Sequence, residues 1–169
     1  MSSSSANIKS QPPNRKVLNA LQQNWKAEML GFHTYGALAR QETDPERKRI
    51  LQHLAEAEAR HADLWAGRIS FLGGKLPAYT GGAGGETEKL QFKIGGPDLA
   101  LRRLEIEESR DIAKYGGQLR DLGDEPSVAI LTQVIEDEKE HYRELSRLIR
   151  GRYPQRPTSE KALRPEKAS

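Results

Sequence analysis

The chain has 169 residues, 36% of them hydrophobic, and carries 27 basic and 24 acidic side chains for a net charge of +3. That length accommodates one domain with a real core. The absence of cysteine excludes disulfides, thiolate zinc sites, iron–sulfur ligation and cysteine nucleophiles, so any metal must sit on oxygen and nitrogen.

Residues 1–14 are serine-rich, include Pro12 and Pro13 and hold no apolar stretch, so they read as a disordered tail rather than a signal peptide. Helix 1 is expected over Arg15 to Gln41, with Val17, Leu18, Leu21, Trp25, Phe32, Tyr35 and Leu38 on one face. Asp44, Pro45 and Glu46 supply a cap, a first-turn proline and an acid that complements the helix dipole. Helix 2 therefore starts there and runs through Leu72 to stop at Gly73 and Gly74, and the short linker before it makes helices 1 and 2 antiparallel neighbours.

The next segment, Gly73 to Gly96, is rich in glycine and long enough to cross the whole bundle. Its Gly81-Gly82-Ala83-Gly84-Gly85 run is not followed by the Gly-Lys-Ser/Thr of a phosphate-binding loop, so it reads as a connector. Helix 3 is expected to open at Pro97 and Asp98 and end near Leu122 and Gly123; helix 4 is expected from about Pro126 to Ile149. From 151 onward Arg152, Arg156, Lys161, Arg164 and Lys167 lie among prolines, a solvated basic tail or a contact for an anionic surface. No run approaches the ~18 apolar residues of a membrane span, and acids interspersed with the bases argue against a nucleic-acid partner. The expected location is the cytoplasm. The expected fold is all-α: a four-helix bundle over 15–150 with a long crossover between helices 2 and 3.

An internal repeat carries the chemistry. Shifting the chain by 80 positions aligns helices 1 and 2 with helices 3 and 4 without a gap. Ala20, Leu21, Glu28, Tyr35, Gly36, Arg40, Asp44, Ile50, Leu51, Glu56, Glu58 and His61 meet identical residues at 100, 101, 108, 115, 116, 120, 124, 130, 131, 136, 138 and 141. Hydrophobic spacing aligns leucines between any two helix pairs, but it gives no reason to align Glu, Tyr and His on faces that should be apolar. Each copy is one helical hairpin bearing a Glu, a Tyr seven residues on, and a Glu-x-x-His thirty residues after the first Glu.

Positions i and i+3 share a helix face, so Glu58 points with His61, and Glu138 with His141. Glu28 and Glu108 lie on the faces of Tyr35 and Tyr115. All these positions fall inside the apolar stripes, so four carboxylates and two imidazoles project into one core. Unpaired carboxylates buried there would each cost several kcal/mol, so they must protonate or acquire cations. Two divalent ions balance the four charges, and one histidine completes each shell. Such ligands favour iron, or manganese, over zinc or copper. Tyr35 and Tyr115 are expected to donate hydrogen bonds to ligand carboxylates, while His33, His53, Glu56 and Glu136 are expected on the surface or in packing roles.

These residues resemble the rubrerythrin branch of the ferritin-like superfamily, from about Arg15 to Ile149. The resemblance rests on Glu28/Tyr35, Glu108/Tyr115, Glu58/His61 and Glu138/His141. It implies a ferritin-like bundle, two iron ions and an oxidoreductase in which each Fe(II) gives one electron to peroxide or dioxygen. Rubrerythrins carry a further metal-facing glutamate one turn beyond the helix 3 ligand; that position is Asp111 here, either an additional ligand or a surface aspartate paired with Arg110 or Lys114. They also usually end in a rubredoxin domain; without cysteines this chain has none, which implies an external electron donor.

The segments Asp44-Pro45-Glu46-Arg47, Glu58-Ala59-Arg60-His61-Ala62 and Leu72-Gly73-Gly74-Lys75-Leu76-Pro77 are also similar to the ferritin-like domain that some bacterial proteins place before a vacuolar-iron-transporter-type membrane module. That likeness implies sensing or iron delivery at the cytoplasmic face of a membrane; ferroxidase storage is a further alternative. Bundles of this class commonly pair, so a homodimer or larger homo-oligomer is expected.

Overall fold

The computed structural model describes the backbone of residues 15–79 and 85–151, and the side chains of 15–79 and 98–151. The expected terminal tails, and the centre of the glycine run at 80–84, lie outside the described residues. Four helices form: α1 (Arg15–Gln41), α2 (Pro45–Phe71), α3 (Gly85–Asp121) and α4 (Glu125–Ile149). α1 packs along α2 and α3 along α4, and the two hairpins meet through α1 against α3 and α2 against α4. Adjacent helices are antiparallel, so the connection from α2 to α3 joins a diagonal pair.

Local chemistry sets the boundaries. Asp44 caps α2 by accepting from the backbone N–H of Glu46 at 3.0 Å and of Arg47 at 2.9 Å. Its repeat mate Asp124 caps α4 through Ser127 N–H. At the end of α2, Gly73 adopts φ +70° and donates to the Ser70 carbonyl, while Gly74 donates to that of Ile69. This paired closure needs a left-handed residue, hence glycine. A Cβ at Gly74 would lie 2.7 Å from a Leu18 methyl, so the chain leaves α2 tight against α1. It then follows α1, where Gln22 donates to the Lys75 carbonyl at 2.8 Å and Tyr79 stacks on His33 with ring centroids 4.9 Å apart.

The start of helix 3 differs from the expectation. α3 begins at Gly85, twelve residues before Pro97, which shortens the crossover. Gly95, Gly96 and Pro97 look like a boundary because glycine disfavours a helix by about 1 kcal/mol and proline by about 3. The segment before them, Glu86 to Ile94, is made largely of helix formers, and the helix continues through the punctuation at the loss of the one hydrogen bond that Pro97 cannot donate.

Two apolar clusters fill the bundle, and each draws on all four helices. Val17, Leu21, Trp25, Trp65, Ile69, Tyr115, Leu131 and Val134 belong to one. Tyr35, Leu38, Leu51, Leu54, Leu101, Leu145 and Leu148 belong to the other. On every helix the residues between these clusters are the glutamates and histidines singled out by the repeat, so the apolar core is interrupted by one polar layer.

Candidate metal centre

The register of each helix brings its repeated residues to that layer. Glu28 comes from α1, Glu58 and His61 from α2, Glu108 from α3, and Glu138 and His141 from α4; none is more than 6% exposed. They form two groups of four: Glu28, Glu58, His61 and Glu138 in one, Glu58, Glu108, Glu138 and His141 in the other. Within each group, one ligand-type atom per residue lies within 4.8 Å of all the others. Glu58 and Glu138 are common to both. The histidines lie side by side, ring centroids 5.5 Å apart and planes inclined by 26°.

Each imidazole turns Nδ1 toward the carboxylates. His61 Nδ1 is 3.2 Å from Glu138 and 3.4 Å from Glu28; His141 Nδ1 is 3.3 Å from both Glu58 and Glu138. Two buried atoms, His61 Nδ1 and Glu58 Oε1, have no aligned hydrogen-bond partner. Orphaned polar atoms are rare in native cores and call for an explanation. Lone pairs that converge on a shared cation provide one, and the oxygen and nitrogen donor set fits a divalent metal.

The carboxylates of the layer lie close enough to oppose one another's charges. Burial raises the Glu58 carboxyl well above its usual range, and the charges of Glu138 and Glu28 add to it. Glu108 is raised by burial and by Glu138. Glu138 goes the other way: burial would raise it, but the close approach of Glu108, His141 and His61 prevails and holds it far below the carboxylate norm. Burial draws the His61 imidazole down, yet the Glu138 and Glu28 carboxylates beside it push it up to about 10.

The tyrosines donate to carboxylates as expected, but across the bundle. Tyr35 hydrogen-bonds Glu108, and Tyr115 donates to Glu28 Oε1 at 2.5 Å, so each repeat orients the glutamate of the other. Asp111 lies outside both groups of four and takes Lys114 Nζ at 2.7 Å; burial raises its carboxyl while Lys114 opposes the rise. His53, Glu56 and Glu136 are exposed, and His33 is held against Tyr79.

Three contributors escaped the sequence reading. Trp65 Nε1 donates to Glu28 Oε1 at 3.0 Å. Asp137 Oδ2 lies 3.1 Å from His61 Nε2. At Gly31 a Cβ would sit 2.6 Å from Glu58 Oε2, so the Glu58 carboxylate occupies the space a side chain would fill. The repeat mates of Trp65, Asp137 and Gly31 are Leu145, Ala57 and Asp111, but most positions outside the twelve identities also differ between the copies, so the mismatch alone does not single these three out.

A four-helix bundle with a buried carboxylate–histidine layer between paired hairpins defines a ferritin-like protein with a candidate two-metal site. The rubrerythrin family model matches residues 19–149, and the chain belongs to the rubrerythrin family. A solved structure from Anabaena variabilis, a two-domain protein containing DJ-1/ThiJ/PfpI-like and ferritin-like domains, is similar in fold, with a TM-score of 0.64 and 19% identity. The match covers 85% of this chain and 40% of that one, so the chain spans less than half of that protein. No curated protein sequence matches the chain. Among the described residues, no helix is long and apolar enough to cross a membrane.

Proposed function

We propose that Glu28, Glu58, His61, Glu108, Glu138 and His141 hold two iron ions and that the protein is a rubrerythrin-like oxidoreductase. The observation that carries this reading is the sharing of Glu58 and Glu138 between two buried groups of four. Carboxylates common to two positions are what a pair of nearby cations requires. Bound there, the ions supply one electron each to peroxide or dioxygen.

The protein's own residues prepare that chemistry. Glu28 and His61 define one position and Glu108 and His141 the other, while Glu58 and Glu138 reach both. The Tyr35 and Tyr115 hydroxyls fix the outer glutamates by hydrogen bonds, and their burial raises both phenols far above their usual range, which keeps them protonated as donors. The apolar clusters on either side exclude water from the layer. An external donor returns the electrons.

Anaerobic Fe(II) loading followed by separate additions of peroxide and dioxygen tests the reading. The expected result is two ions per chain, oxidised by at least one of the two reagents, and loss of both ions on Glu58→Ala or Glu138→Ala. A single ion per chain, or two ions retained in both variants, overturns it.

A further inference from the structure

We propose that the two ion positions are unequal: the position on Glu28 and His61 loads first and keeps its ion, and the position on Glu108 and His141 exchanges. This rests on the two-iron reading above and assigns a different task to each half of the same site.

The repeat makes the argument possible, because it states what equality would look like. Every contact in one half should have a mate 80 positions away, and two of the contacts that buttress the ligands do not. Glu28 Oε1 accepts from both Tyr115 at 2.5 Å and Trp65 at 3.0 Å. Its mate Glu108 accepts from Tyr35, while the residue in the place of Trp65 is Leu145, which has no donor. His61 has Asp137 3.1 Å from Nε2, whereas the place of Asp137 beside His141 is taken by Ala57, which offers no acceptor.

Both differences act in the same direction. A carboxylate at the far nitrogen of a ligand histidine fixes the N–H on that side, aims the other nitrogen at the metal and raises its basicity. Two donors on one glutamate oxygen hold that carboxylate in a single rotamer, so less freedom is lost when an ion arrives. Asp137 also contributes a negative charge to the His61 half. Asp111, outside both groups of four, is paired with Lys114 at 2.7 Å and adds no net charge to either half. Removing such an outer partner typically weakens metal binding by about 10–100-fold, and among the described residues the His61 half has two partners with no counterpart in the His141 half.

Anaerobic Co(II) titration, followed by calorimetry and by visible absorption of the bound ion, tests the proposal without reference to turnover. Wild type should bind two ions in separate steps, the first at least about tenfold tighter than the second. His141→Ala should keep the tight step and lose the weak one; His61→Ala should do the reverse. Asp137→Asn, at a side chain 48% exposed and therefore safe for folding, should weaken the first step by about 10–100-fold and leave the second within about threefold. Two ions binding in wild type with one common affinity, or Asp137→Asn weakening both steps alike, overturns the inequality while leaving the two-metal site intact. Failure of wild type to take up a second ion removes the two-metal reading itself.

Discussion

Gly31→Ala separates the stability of the bundle from the placement of a ligand. Gly31 lies within α1 at an ordinary helical φ, so alanine suits the backbone and should stabilise the helix by about 1 kcal/mol. Its methyl group, however, would stand 2.6 Å from Glu58 Oε2, 2.9 Å from Cδ and 3.1 Å from Cγ. To reach the ordinary contact distance of 3.4 Å the oxygen must retreat by about 0.8 Å. Glu58 is the far end of a flexible side chain, so the metal-free protein yields without unfolding. The same shift takes the carboxylate away from both groups of four at once.

The expected outcome is therefore a split. Metal-free Gly31→Ala should unfold in urea at or slightly above the wild-type midpoint, while calorimetry shows both ions weakened by about 10–100-fold, or roughly 1.4–2.8 kcal/mol each. Two other glycines serve as controls. A Cβ at Gly36 meets nothing nearer than Arg40 Nη1 at 3.5 Å, and one at Gly116 meets nothing within 4 Å. Gly36→Ala and Gly116→Ala should gain about 0.5–1 kcal/mol and bind metal as wild type does. Wild-type affinity in Gly31→Ala would refute the reasoning, because it would show that Glu58 is not held where the metals need it.

Tyr35→Phe and Tyr115→Phe should keep the fold and two ions while altering oxidation rates in stopped-flow measurements; wild-type rates in both would leave the tyrosines a packing role only. Asp111→Ala should retain two Fe(II) ions and slow oxidation by peroxide more than by dioxygen if this carboxylate relays a proton, and equal rates would confine it to its Lys114 pair. The buried Asn24 amide and the half-buried Gln118 amide bond each other at 2.7 and 3.0 Å, and their repeat mates are Leu104 and Leu38. Asn24→Leu should therefore cost about 1–3 kcal/mol by stranding Gln118, and the added change Gln118→Leu should recover most of it by urea denaturation. Asp124→Ala should cost about 2–3 kcal/mol against about 1 for Asp44→Ala, since both cap a helix but only Asp124 also takes Arg68, at 2.7 and 2.8 Å. Burial opposes it, yet Ser127 and Arg68 hold the Asp124 carboxyl below its usual range, so this excess is present above the unfolded aspartate pKa of about 3.9 and disappears as pH falls through the lower folded value. An unchanged gap between the two variants at pH 7 and at the acid limit would contradict it.

The six residues of the layer were legible because each breaks a pattern. A glutamate in the place of a core leucine is conspicuous, and the second copy removes chance as the explanation. Periodicity places a residue on a face, however, and not against a particular neighbour. Tyr35 shares a face with Glu28, yet its hydroxyl reaches Glu108, because seven residues along a helix rise about 10 Å and carry it past its own glutamate toward α3. Asp137 was hidden for the opposite reason: one position before Glu138, about 100° around the helix, it looks like a solvated acid. Only the packing of α4 beside α2 brings it to His61. The start of α3 was misplaced because Gly95, Gly96 and Pro97 outweigh their neighbours in a local reading, whereas the helix extends through them.

The repeat also explains how a bundle tolerates four acids at its centre. Each flanking cluster contains side chains from all four helices, and Leu21, Trp65, Ile69 and Leu131 on one side and Leu51, Leu54, Leu101 and Leu145 on the other are essentially inaccessible to solvent. Burying such side chains contributes about 1.5–3 kcal/mol apiece, so each end of the bundle is held independently of the layer between them. Within the layer, burial and neighbouring carboxylates raise the Glu58 and Glu108 carboxyls, and the carboxylates beside His61 raise its imidazole. The same separation leaves residues beside the layer free to diverge between the two copies, because a change such as Ala57 against Asp137, or Leu145 against Trp65, alters one half of the site while the clusters keep the helices in register.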